Sequence, residues 1–171
     1  MKRDILVCRS QHTKLEIVAR KEGKVLRGTF PYLAEAFIKS EGVKETFLPF
    51  AFSRSVKSDT NKFLLIEHRF EPNTIIANTY DQTLQIDADS KDGLEFTSSV
   101  IPDINIREYG ISIGFQLTPN GSHFTMERSA NNAVKRVIRD AELFEISLTR
   151  NPAYKDTKVK LDRSMNMELW Q

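Results

Sequence analysis

The sequence predicts a mainly β fold, an antiparallel β-barrel with a few short peripheral helices. Apolar and polar residues alternate with a period of two over several segments, as expected of half-buried strands. β-branched and aromatic residues cluster in the same segments, and turn residues recur about every 8–15 residues. This pattern is typical of a barrel or a sandwich rather than of alternating strands and helices.

Three strands are predicted in the N-terminal part of the chain. Residues 14–21 alternate apolar and polar side chains and end in a short turn. Residues 25–37 continue in an extended conformation, where Gly28 indicates a bulge or bend and Pro31 favours a sheet edge or an irregularity. Residues 43–52 have the composition of a further strand.

The central part contains the clearest hairpin. Residues 52–59 predict a short helix, and the dense apolar run 62–70 predicts a strand that is buried on both faces. Residues 83–89 and 94–100 both alternate, and the turn between them includes Asp92-Gly93, which is typical of hairpin turns.

The C-terminal part begins with a connection, residues 101–110, that fits one helical turn. Residues 111–118 alternate strictly, and after the turn PNG residues 122–128 return as a hairpin strand. The segment 133–149 fits helix or strand in its first half and a strand in its second half. Residues 157–162 predict a last strand, and the tail fits a short helix or a loose end.

Composition limits the class of protein. A length of 171 residues fits one domain over 1–171, with a core of about 15–162, a short N-terminal strand and a C-terminal tail. The net charge of +2 comes without a basic stripe, so no nucleic-acid binding is predicted. No apolar run reaches the ~20 residues that span a bilayer, and the N-terminus lacks the pattern of a signal peptide. We therefore expect no membrane partner and a location in the cytoplasm of the cell that makes the chain.

The sequence predicts no metal site and no cofactor. A single cysteine, Cys8, excludes an internal disulfide framework and a Cys-rich zinc site. HExxH, calcium-loop and Gly-rich phosphate-binding patterns are absent from the sequence. The GxSxG motif of α/β-hydrolases is absent as well.

Among the three histidines, His68 differs from the others. His12 and His123 lie in polar segments and are expected to be solvated. His68 ends the run FLLIEH, on the predicted face of Leu64 and Ile66. It fits a core histidine bonded to a carbonyl, or a general base, because imidazole titrates near neutral pH.

Ser112 lies in the strand segment ISIGF. The alternation puts Ser112 and Gly114 on one face and the apolar side chains on the other, namely Ile111, Ile113, Phe115 and Leu117. Gly114 leaves space beside Ser112, so another group can approach the backbone closely. On spacing alone, two small residues packed against a neighbouring strand explain the pattern as well as a nucleophile does.

Glu145 is an acidic residue in the apolar strand LFEISL. A carboxylate there requires a partner, and an imidazole is a suitable one because a third group orients the base in catalytic triads. Regular alternation puts Leu143, Glu145 and Ser147 on one face, and the other face carries Phe144, Ile146 and Leu148. Asp140 and Glu142 are alternatives, although each fits a solvated charge.

Taken in order, these segments resemble the prohead, or capsid maturation, proteases of tailed phages, a family related in fold to the herpesvirus assemblins. The segments that carry the resemblance are LRGTFPYLAEAF, ETFLPFAF, LIEHRF, DSKDGLEFTSSVIPD, SIGF and LFEISLTRNPA. In the same order, the corresponding family patterns are a glycine-containing first strand, E-x-hydrophobic-x-P-G-A-F, L-x-N-H-D, a glycine-leucine hairpin, S-x-G-F and L-x-E-V-S-L-V-x-x-P-A. Together they cover residues 15–162.

The resemblance implies a serine endopeptidase with His68, Ser112 and Glu145 as catalytic residues. It also implies an assemblin-like fold, and substrates that are capsid and scaffold segments inside the procapsid in the host cytoplasm. Cleavage of the protease's own chain follows from the same resemblance, and a homo-oligomer is compatible with it. By analogy with the assemblins, the turn Arg150-Asn151 is a candidate donor to the oxyanion.

The chain departs from the family pattern at three places. Phe50 stands where the family has Gly, and Glu67-His68-Arg69 stands where it has Asn-His-Asp. The segment before Ser112 is shorter than in many relatives. Because the assemblins use a second histidine as third member, His123 is a further alternative to Glu145.

A hypothesis of another class treats the chain as a non-catalytic β-barrel module, an accessory or structural part of a phage particle. It requires only the alternating strands and regards His68, Ser112 and Glu145 as packing details. It therefore predicts that these three side chains do not converge.

Overall fold

The computed structural model describes residues 24–117, 124–130 and 132–163. Twelve strands in these ranges form three four-stranded sheets. In chain order the strands are β1 (Lys24–Pro31), β2 (Ala36–Ile38), β3 (Val43–Phe47), β4 (Phe63–Ile66), β5 (Ile75–Asn78), β6 (Leu84–Asp87), β7 (Gly93–Ser98), β8 (Gly110–Gln116), β9 (Phe124–Arg128), β10 (Val134–Ile138), β11 (Glu142–Thr149) and β12 (Lys158–Arg163). The predicted strand 14–21 and the tail after residue 163 lie outside the described residues.

The prediction of a mainly β fold is confirmed, whereas a closed antiparallel barrel is not. Within the described ranges the strand orders are β12-β1-β7-β6, β2-β3-β10-β9 and β5-β4-β11-β8, and none of these sheets closes on itself. Two pairs, β3–β10 and β4–β11, are parallel. Parallel neighbours require long crossover connections, which alternation within single strands does not reveal.

The short helices agree with the prediction. The helix α1 (Ser53–Val56) lies within the predicted segment 52–59, and a 3₁₀ turn (Ile106–Glu108) lies within 101–110. The short strand β5 was not predicted from the sequence.

The first sheet contains the predicted hairpin. β6 and β7 pair in antiparallel register through Asp87 and Glu95, with the turn in between. Gly28 does not mark a bulge, because it pairs regularly with Val159 on one side and Phe96 on the other. A Cβ atom at Gly28 would lie 2.2 Å from the Phe96 ring, so close packing requires glycine here.

The second predicted hairpin is wrong. β9 does not return along β8. It pairs instead with β10, while β8 pairs with β11. The segment 133–149 is two strands in different sheets, and its first half is strand rather than helix.

Side chains from all three sheets meet in one hydrophobic cluster. Leu26 of β1, Phe47 of β3 and Leu64 of β4 are fully buried in it. Aromatic rings form its centre, with Phe30 and Tyr154 packed edge to face at 4.7 Å between centroids. One face of the third sheet packs against this cluster, so its other face is available for functional side chains.

Candidate active site

The third sheet brings the predicted site residues to one face. Its strand β11 lies between β4, which runs parallel to it, and β8, which runs antiparallel. Ile146 and Leu148 of β11 point into the hydrophobic cluster. Because side chains alternate along a strand, Glu145 and Ser147 lie on the opposite face.

The start of β11 departs from regular alternation. The register of β11 against β8 shifts between Leu143 and Glu145, which indicates a bulge at Phe144. Leu143 is therefore buried in the core with Ile146, and Phe144 is 44% exposed. The predicted faces of Leu143 and Phe144 were wrong, because an extra residue reverses the alternation beyond it.

His68 lies in a turn directly after β4. Glu67 and His68 have backbone φ angles of 53° and 56°, so the strand ends at Ile66 and does not extend to residue 70 as predicted. His68 consequently does not continue the face of Leu64 and Ile66. Its side chain reaches the face of the sheet that carries Glu145.

His68 and Glu145 form a direct hydrogen bond, with 2.5 Å between Nδ1 and Oε1. The Glu145 carboxylate is buried, whereas the His68 side chain is 43% exposed. The bond to Glu145 raises the pKa of His68; burial opposes this effect, and the charges of Glu145 and then Glu67 add to it. Within the described residues Nδ1 has this partner and Nε2 has none, so Nε2 is available to another group.

Ser147 connects both members of this pair. Its hydroxyl donates to Oε2 of Glu145 at 2.6 Å, and it accepts the backbone N–H of His68 at 3.1 Å. Ser147 is completely buried. The two carboxylate oxygens of Glu145 are thus held by different partners.

Ser112 of β8 lies directly opposite Ser147 of β11. As predicted, Ile111 and Ile113 are buried in the core, so Ser112 is on the face of Glu145 and Ser147. Ser112 is half-buried. Within the described residues no hydrogen bond joins its hydroxyl to His68, and the two groups share the sheet face without direct contact of this kind.

Gly114 makes room for the carboxylate. It pairs with Glu145 across β8 and β11, and a Cβ atom at this position would lie 2.3 Å from Oε1 of Glu145. The sequence predicted a close approach to the backbone at Gly114, and the approaching group is the chain's own acidic residue.

The alternative acidic residues have other partners. Asp140 and Glu142 both form ion pairs with Arg54 of α1, at 2.9 and 3.2 Å. Glu142 also accepts a hydrogen bond from Ser55 at 3.0 Å. His123, the other alternative, lies outside the described residues, as do His12 and Cys8.

Glu67 holds the turn that follows β11. Its carboxylate accepts hydrogen bonds from the Thr149 hydroxyl at 2.8 Å and from the backbone N–H of Arg150 at 3.0 Å. The bond from Arg150 is the main cause of the lowered pKa of Glu67. The N–H of Asn151 donates to the Thr149 hydroxyl at 3.2 Å. Both backbone donors proposed for the oxyanion therefore have acceptors within the chain.

Sequence reasoning missed the contributions of Ser147 and Glu67. Ser147 could have been found, because it lies two residues beyond Glu145 and alternation puts both on one face. Glu67 had a weaker signal: it precedes the candidate histidine and interrupts an otherwise apolar run.

Within the described ranges, no group of three or more His, Cys, Asp or Glu side chains is arranged to hold a metal ion. None of the helices described is long and apolar enough to cross a membrane.

A sequence model of the caudovirus prohead serine protease family matches residues 14–169. The chain belongs to this family. It is accordingly a serine peptidase, a hydrolase that serves in capsid maturation, and membership indicates capsid proteins as substrates and a location inside the procapsid. This result decides against the non-catalytic module. No curated protein and no solved structure was found to match the chain.

Proposed function

We propose that Ser112 is the nucleophile, His68 the general base and Glu145 the orienting acid of this serine peptidase. The hydrogen bond between His68 Nδ1 and Glu145 is the observation that carries the proposal. A catalytic triad requires a histidine base with one ring nitrogen hydrogen-bonded to an acid and the other ring nitrogen beside the serine. The position of Ser112 on the same sheet face supports its role.

The proposed reaction is acyl transfer to Ser112, followed by hydrolysis. Nδ1–H of His68 donates to Glu145, which leaves the lone pair of Nε2 free to accept the proton of the Ser112 hydroxyl. The Ser112 oxygen attacks the scissile carbonyl carbon. His68 then gives the proton to the leaving amine, and water releases the acyl group by the same steps. Catalytic hydrogen bonds are often loose without substrate, which is consistent with the absence of a Ser112–His68 bond.

The developing oxyanion requires two donors. The backbone N–H groups of Arg150 and Asn151 are the proposed ones. Since Glu67 accepts the N–H of Arg150, this donor serves the oxyanion only after the Glu67 carboxylate has moved away. The assemblin-like fold, on which the analogy rests, stays a prediction.

The proposed substrates are capsid and scaffold segments within the procapsid, assembled in the host cytoplasm, and the protease's own chain. Confinement in a shell produces a high effective concentration, which compensates for weak binding of a substrate segment. Self-association of the protease is compatible with this setting.

Co-expression with the capsid protein of the same phage tests this proposal. Mass spectrometry should detect new capsid termini with the unmodified protease and none with Ser112→Ala. Ser99→Ala, which changes a half-buried serine of the first hairpin, is the matched control and should process normally. Normal processing by Ser112→Ala would exclude the proposed nucleophile.

A further inference from the structure

The turn that carries His68 has an unusual backbone. Two consecutive residues with side chains, Glu67 and His68, adopt the left-handed conformation that favours glycine. Such residues persist only where neighbouring contacts hold them. Here the N–H of Glu67 donates to the carbonyl of Leu148 at 2.9 Å, and the N–H of His68 donates to the Ser147 hydroxyl at 3.1 Å.

The hydroxyl of Ser147 has a defined role in each of its bonds. A serine hydroxyl has one proton to donate and two lone pairs to accept with. The His68 N–H can only donate, so Ser147 accepts from it and gives its own proton to Glu145. Because Ser147 is completely buried, water does not compete for these bonds.

We propose that Ser147 is a positioning residue, which fixes the Glu145 carboxylate and the backbone of His68 relative to each other. The inference rests on the proposed roles of His68 and Glu145. One carboxylate oxygen is tied to Ser147 and the other to Nδ1, so the carboxylate cannot rotate away from the imidazole. Ser147 is not a second nucleophile, since it is buried and its proton is directed to Glu145.

A purely structural role predicts a different result from a positioning role. Loss of a buried hydroxyl destabilises a protein wherever it occurs. Loss of Ser147 should in addition change the titration of His68, because the bond to Glu145 is the main cause of its raised pKa. The charged groups that act on His68 are Glu145 and Glu67, and Ser147 contacts the first of them directly.

NMR titration of the imidazole in a Ser112→Ala background separates these roles without requiring activity. The chain has 3 histidines, so the signals can be assigned by substitution. Ser147→Ala should lower the pKa of His68 towards its ordinary value, and Ser147→Thr, which keeps the hydroxyl, should restore much of the shift. Ser98→Ala is the matched control, because Ser98 is equally buried and, among the described residues, its hydroxyl bonds only to the backbone of Val100. It should leave the titration unchanged.

With Ser112 intact, Ser147→Ala should reduce kcat about 10–100-fold with little change in KM, by analogy with the range for residues that orient metal ligands. If Ser147→Ala does not fold, Ser147→Cys retains the packing with a poor hydrogen-bonding group and should show the same loss. An unchanged pKa of His68 in the folded variant would overturn the inference and leave the proposed triad intact. Failure of the unmodified protease to process capsid protein would refute the proposed function, while the titration still decides the role of Ser147.

Discussion

Gly114→Ala tests the geometry of the site without removing any polar group. The new Cβ atom would lie 2.3 Å from Oε1 of Glu145 and 2.8 Å from its Cγ, whereas ordinary contacts begin at 3.4 Å. The carboxylate must therefore move by about 1 Å, and a displacement of this size near reacting groups costs roughly 10²-fold in rate. Rotation of the Glu145 carboxylate cannot relieve this contact, because its other oxygen is hydrogen-bonded to Ser147. We expect the bond to His68 to break.

The assay compares the initial rate of capsid-protein cleavage with the thermal stability of the same variant. Overpacking costs about 1–3 kcal/mol of folding free energy wherever it occurs, so stability alone does not identify the site. Gly93→Ala is the control: its Cβ would lie 2.5 Å from the carbonyl oxygen of Phe30, in a different sheet. It should lose stability and keep its rate. Cleavage by folded Gly114→Ala at the unmodified rate would refute the reasoning.

Four further predictions concern the triad itself. Ser112→Ala and His68→Ala should each reduce processing by up to roughly 10⁶-fold, and the double variant little more, because the two residues act as a unit; additive losses in a processing assay would contradict this. Glu145→Gln should cost about 10⁴-fold or less, and a loss as large as that of Ser112→Ala would give Glu145 a different role. Because the neutral imidazole of His68 is the proposed base, cleavage should rise with pH through a midpoint above the ordinary pKa of about 6.5, and Glu145→Gln should lower that midpoint. Since the folded-state pKa of His68 is raised, the contribution of His68 to the free energy of unfolding is complete below its unfolded-state pKa and is lost as pH rises through its folded-state pKa. The free energy of unfolding of His68→Ala, measured across this pH range, should not show that loss.

The parts of the site that follow regular alternation were predictable from the sequence. β8 is a regular strand, so the apolar positions Ile111 and Ile113 identified the face of Ser112 and Gly114 correctly. It was also predictable that Glu145 has a polar partner, because a carboxylate in an apolar strand requires such a partner.

Alternation failed where the backbone departs from a strand. The bulge at Phe144 leaves no mark in the side-chain pattern. Glu67 is not a residue type that indicates a left-handed turn, and one histidine, although its type is enriched in that conformation, does not identify a turn by itself. Their conformation is imposed by contacts to β11, residues distant in the chain. The pairing of β4 with β11 likewise joins segments that are distant in the chain, whereas β9 pairs with its sequence neighbour β10 rather than with β8.

The parallel pairing of β4 and β11 gives the enzyme an order of assembly during synthesis. His68 and Glu145 are separated by 77 positions along the chain. The hydrogen bonds that join Glu67 and His68 to the third sheet come from β11 or from Arg150, the residue after it. A nascent chain that has emerged only as far as β8 carries the proposed nucleophile and base, but neither the acid nor the clamp. Because domains are synthesised from the N-terminus, cleavage activity should appear only after β11 has left the ribosome. The fold thereby delays the peptidase until β11 has been synthesised.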